Sequence, residues 1–147
     1  MKDFVRQIVY DSEYQLIKEF RSSVRRYNTL EEVQSLFIKK ILKSYWWKKR
    51  YSSIKEIHLY SKKRNSKAAS AGPNCDIYLP KFFRDELSIL HELAHIVCFS
   101  LYPSYLDVVP GHGAEFLRVY SEMIRHFLGK EIFLRFKEIL LEKKILF

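Results

Sequence analysis

Apolar residues recur at helical spacing along most of this chain and at strand spacing over two short stretches. Leu16, Ile17, Phe20 and Val24 predict a helix over 13–26, with Asp11 or Ser12 as its cap. Thr29, with Glu32 three residues on, forms a capping box that opens a second helix. Leu30, Val33, Phe37, Ile41 and Leu42 are its repeat, and residues 45–53 break it. Ile54 to Tyr60 reads as a strand with Ile57 and Leu59 on one face. Cys75 to Leu79 reads as another, preceded by the turn residues Gly72-Pro73-Asn74 and closed by Pro80. The two are expected to pair antiparallel, with Cys75 to Leu79 as the candidate edge. Three helices follow: Phe83 to Phe99, ended by Tyr102-Pro103; Gly113 to Leu128, stopped by Gly129; and Lys130 to Leu146, with Ile132, Phe133, Phe136, Ile139 and Leu140 as its stripe. The expected class is α+β, a small antiparallel sheet packed with helices.

Composition bounds this picture. The 147 residues suit one domain over 1–147, and four Gly with four Pro argue against a turn-rich all-β protein. Met1 to Tyr10 lacks the apolar stretch of a secretory signal, and no run is apolar enough to span a membrane. Cys75 and Cys98 form no CxxC pair and suggest no disulfide framework. A cytoplasmic protein with two reduced thiols is the expectation. The 26 basic residues outnumber 17 acids, giving +9, a balance that favours polyanions. The charge clusters at Lys48-Lys49-Arg50 and at Lys62-Lys63-Arg64 with Lys67. No nucleic-acid-binding motif accompanies it, so solvated loop charge explains it as well.

The chemistry sits in His91-Glu92-Leu93-Ala94-His95. Residues four apart on a helix share a face, about 6 Å apart along the axis, so both imidazoles can reach one metal. Glu92 is turned about 100° from His91, away from that ligand pair. It is placed to accept a proton at the metal's open position. Zinc lowers the pKa of bound water toward about 7, which suits attack on an amide or similar carbonyl. Catalytic zinc needs a third protein ligand. His112, flanked by Gly111 and Gly113 across a loop with Pro110, is the first candidate, and Glu115, one turn further, the rival. Glu115 could equally support a ligand histidine by hydrogen bonding. Such a motif also arises by chance, and two surface histidines on an amphipathic helix would give the same string. Its helical context, the apolar Leu87, Leu90, Ala94 and Val97, and the third histidine favour a metal site. The expected arrangement is zincin-like, with HExxH on a central helix. His58 and His126 carry no such pattern; His58 reads as structural or exposed, and His126 as a support for a helix C-terminus. Tyr102 and Tyr105 lie between the motif and His112, where a hydroxyl could stabilise an oxyanion, although packing explains them equally.

His91-Glu92-Leu93-Ala94-His95 followed by Gly111-His112-Gly113-Ala114-Glu115-Phe116 resembles the HELAH…HGxEF pattern of a small metallohydrolase family of actinobacteria and their phages. Val9-Tyr10-Asp11-Ser12-Glu13, Trp46-Trp47 and Ile77-Tyr78-Leu79-Pro80 extend the likeness over most of the chain. The resemblance implies a zinc hydrolase and names no substrate. The site also resembles that of SprT-like metalloproteases, which implies His91, His95 and His112 as zinc ligands and Glu92 as base. The four-cysteine zinc ribbon of those proteins is missing here, which speaks against a DNA-repair role.

Three functions compete. A zinc metallopeptidase would bind a peptide or protein substrate, with the strand at Cys75 to Leu79 open to β-addition. A zinc hydrolase could instead cut another bond, such as a small amide. A basic nucleic-acid-binding module would hold zinc structurally, closed by a fourth protein ligand such as Glu115.

Overall fold

The computed structural model describes residues 3, 5–62, 66, 68–103, 105 and 111–147. Lys63, Arg64 and Lys67 of the basic connector, and Pro110 of the loop before His112, lie outside the described residues. The chain is α+β with a three-stranded sheet, and its contacts divide it into two units. Residues 26–97 form one unit; 1–25 with 98–147 form the other.

In the unit of residues 26–97, helix α2 is continuous through Leu30–Glu32, a π turn over Val33–Ile38 and Lys39–Lys43. Thr29 Oγ1 accepts from the Glu32 amide at 3.1 Å, as the capping box requires. Val33, Phe37, Ile38 and Ile41 are its buried face; Leu42 is only half-buried. The expected break at 45–53 is instead a short helix, α3 (Tyr45–Arg50). Ser44 makes it possible: its hydroxyl accepts from the Trp47 amide at 3.2 Å and donates to the Ile41 carbonyl at 2.7 Å, so one residue serves the end of α2 and the start of α3.

The sheet corrects the antiparallel expectation, because it is mixed. Its strands β1 (His58–Ser61), β2 (Ser70–Gly72) and β3 (Asp76–Leu79) lie in the order β1-β3-β2. β1 runs parallel to β3, with Leu59 opposite Ile77, while β2 is antiparallel to β3, with Ala71 opposite Ile77. The turn at Pro73-Asn74-Cys75, where Cys75 takes φ 63, returns the chain onto the residues just before it. β2 therefore takes the antiparallel place expected for the strand at 54–60. β3 is accordingly the middle strand and not an edge, since both its sides are paired. Ile77 and Leu79 are fully buried, and Tyr78 between them is exposed and stacks on Tyr60.

The motif helix α4 (Glu86–Leu101) begins at Asp85, whose carboxylate accepts from the Ser88 amide at 2.9 Å and hydroxyl at 2.8 Å. The preceding Lys81–Phe83 turn is 3-10, which moves the start past the expected Phe83. The segment at 26–28 fastens this end. Tyr27 donates its amide to the Arg84 carbonyl and its hydroxyl to Glu86, and Arg84 donates to the Asn28 carbonyl. Asp85 is buried, so Asp85→Ala removes a cap and strands the Ser88 hydroxyl. A loss of about 1–2 kcal/mol in unfolding free energy is expected, read from the denaturant midpoint at unchanged slope.

In the other unit, α1 spans Arg6–Glu19, earlier than the expected 13–26. Its buried stripe is Val9, Ser12, Glu13 and Leu16, and the two polar members hide it from an apolar count. The Ser12 hydroxyl, not a cap, donates back to the Ile8 carbonyl, and Glu13 accepts from the buried Tyr120 hydroxyl at 2.6 Å. Helix α5 (Ala114–Phe127) is stopped by Gly129 at φ 111, a conformation that suits glycine. Helix α6 spans Lys130–Glu142, shorter than the expected run to Leu146, with Lys144 at φ 61 just beyond it. Ile132, Phe136, Ile139 and Leu140 are buried there, and Phe133 is half-buried.

Candidate metal centre

Helix α4 is buried almost all round: Leu87 through Ala94 and Ile96 through Cys98 are buried, and His95 is half-buried. That is the pattern of a core helix, not an amphipathic surface helix. Two surface histidines are therefore not what the motif provides. His91 is 1% exposed and Glu92 3%, so both polar groups need partners inside the protein.

The first partner is within the helix. Nε2 of His91 and Nε2 of His95 face each other at 3.2 Å. Two imidazole nitrogens bound at roughly 2.0–2.1 Å to one tetrahedral metal stand about 3.3 Å apart, so the observed pair fits a shared ion. The ring planes are tilted by 61°. Glu92 places Oε2 at 4.0 Å from the His91 Nε2, beside the pair and not between its members.

His112 is 6% exposed and follows the carbonyl of Gly111, which accepts from the Tyr105 hydroxyl at 2.6 Å. That bond occupies the Tyr105 proton in holding the backbone before His112. Nδ1 of His112 contacts the Asp3 carboxylate. A carboxylate only accepts, so Nδ1 carries the proton and Nε2 keeps the lone pair a metal requires. Tyr10 and Phe116 flank the ring, with centroids at 5.9 and 4.9 Å. The ladder continues from Phe116 to Tyr120 and Phe136. Packing thus fixes the orientation of the imidazole from both sides.

His91 and His95 belong to the unit of residues 26–97 and offer two facing nitrogens, whereas His112 and Glu115 belong to the other unit. Burial pushes the Cys98 thiol up to about 12, and both cysteines are free thiols.

No family model, curated protein or solved structure matches this chain.

Sequence reasoning missed Asp3. Its signal is weak, one acid near the start of the chain, because only folding brings it to His112. The remaining histidines lie elsewhere. His58 is not partnerless: its Nδ1 is 3.2 Å from Asp76 Oδ1, and its Nε2 is 3.7 Å from Glu56. His126 is exposed in the last turn of α5, against Phe127. No helix among the described residues is long and apolar enough to cross a membrane.

Proposed function

We propose that this chain is a zinc-dependent hydrolase of the metallopeptidase type, akin to the small HELAH…HGxEF metallohydrolases and zincin-like in its site. The observation that carries the reading is the pair of Nε2 atoms 3.2 Å apart on one helix, from buried His91 and half-buried His95, with the buried carboxylate of Glu92 beside them. His91, His95 and His112 would hold the ion, each through a neutral imidazole, a donor set that suits zinc. Zinc, when bound, supplies Lewis acidity and makes water acidic enough to lose a proton near neutral pH. Glu92 would receive that proton and hand it to the departing amine. Three protein ligands leave a coordination position for chemistry, whereas a structural zinc normally has four. A nucleic-acid-binding module with a structural zinc closed by a fourth protein ligand such as Glu115 is the alternative. β3 is paired on both sides, so a peptide substrate adding to this sheet would have to use β1 or β2.

Metal analysis joined to a hydrolysis screen tests the reading. About one zinc per chain is expected, with cleavage of unfolded protein or a peptide library that stops on chelation and returns with zinc. Zinc-free protein after zinc supplementation would sink the assignment. Asp3→Ala adds a check on the ligand geometry. It should weaken zinc binding about 10- to 100-fold in competition with a chromogenic chelator, the usual effect of losing a carboxylate that orients a ligand histidine. An unchanged affinity would remove His112 as an Asp3-oriented ligand.

A further inference from the structure

The unit of residues 26–97 contains a cavity of about 900 Å³ that plays no part in the proposed hydrolysis. Its floor is apolar: Trp47, Ile54 and Ile57 are buried, and Leu42 is half-buried. The floor has no spare donor, because the Trp47 indole N–H already bonds the Ile54 carbonyl at 3.0 Å. The rim differs in kind. Lys39 and Lys43 of α2, Lys48 of α3 and Lys55 before β1 bring four exposed ammonium groups to it. None of the four has an ion-pair partner among the described residues. Glu56 is the one acid of the lining, and it lies by His58.

Such an arrangement has a cost in the free protein. Lys39 and Lys43 are like charges one turn apart on one helix, which is unfavourable. Lysine stems can cover apolar surface while their ammonium groups stay in water. An anion would relieve the repulsion, and an apolar body would dry the floor. The volume falls in the range of about 300–1,000 Å³ typical of small-molecule sites.

We propose that this cavity binds an amphiphilic anion: an aliphatic or aryl body lying on Leu42, Trp47, Ile54 and Ile57, with a carboxylate or phosphate head among the four lysines. The inference is independent of the zinc site, so either reading can fail without the other.

Isothermal titration of the full chain with dodecanoate and with dodecyl phosphate, below their micellar concentrations, tests it. Saturable binding is expected for at least one, and the tighter of the two identifies the head. Shortening the chain should weaken binding by up to about fourfold per methylene. Dodecyl maltoside, with the same tail and a neutral head, should bind at least tenfold more weakly. Lys43→Glu/Lys55→Glu changes only exposed side chains, and its fold is checked by circular dichroism. It should lose at least tenfold in affinity for the anions while keeping its zinc content. The proposal is overturned if neither anion binds, if the maltoside binds as well, or if the double variant retains wild-type affinity. Equal competition by a short acidic peptide without apolar residues would also overturn it, in favour of a purely electrostatic protein-binding surface.

Discussion

Glu92→Gln is expected to keep one zinc per chain and to lose at least about 100-fold in hydrolysis. A general base is typically worth about 10² to 10⁴ in rate. Gln keeps the size of Glu and one acceptor oxygen, but it cannot take up a proton as a carboxylate does. Its position fits the proposed base better than a ligand. The carboxylate is 4.0 Å from the His91 Nε2, outside the 3.2 Å histidine pair. Folding should tolerate the change, because a neutral amide is cheaper to bury than a carboxylate. Zinc per chain and turnover on any substrate found in the screen decide the matter. Full activity with Gln would reject the base. Joint loss of zinc and activity would mean that Glu92 supports the ligands instead of acting beside them.

The parts legible in the sequence are those set by neighbouring residues. Thr29 announced its helix because a cap and its amide partner lie three residues apart. Gly129 announced a stop because the backbone there needs positive φ. The histidine pair was legible for the same reason: a helix alone places His91 over His95. Long-range features were not legible in this way. The stripe of α1 contains Ser12 and Glu13, and Glu13 becomes intelligible only when Tyr120 arrives to bond it. β2, with Ser70, Ala71 and Gly72, has neither β-branched nor aromatic residues, so no propensity marks it. The expected pairing of β1 with β3 holds, but missing β2 led to the wrong direction for that pair and to the wrong edge. Asp3 is a further such case. Its contact is with His112, and no local spacing connects them.

His95→Ala is expected to abolish stoichiometric zinc binding and, with it, the thermal stabilisation that zinc confers. His95 supplies one of the two facing nitrogens, and its removal leaves His91 without its partner in the proposed ligand pair. A ligand that binds only the folded chain stabilises it by about 2.7 kcal/mol at 100 times its Kd. For a chain of this size each kcal/mol moves Tm by roughly 2–4 °C, so zinc should raise the wild-type Tm by about 5–10 °C. The variant should show no such rise. His95 is half-buried, so truncating it leaves a smaller void than truncating the buried His91 would, and the zinc-free variant should melt near the chelated wild type. Thermal melts of both proteins with zinc and with chelator give the four values needed. One zinc per chain and an undiminished zinc-dependent Tm rise in His95→Ala would overturn the ligand set. Loss of the rise with an unaltered chelated Tm separates metal binding from a general packing defect, because a packing defect would lower the chelated Tm as well.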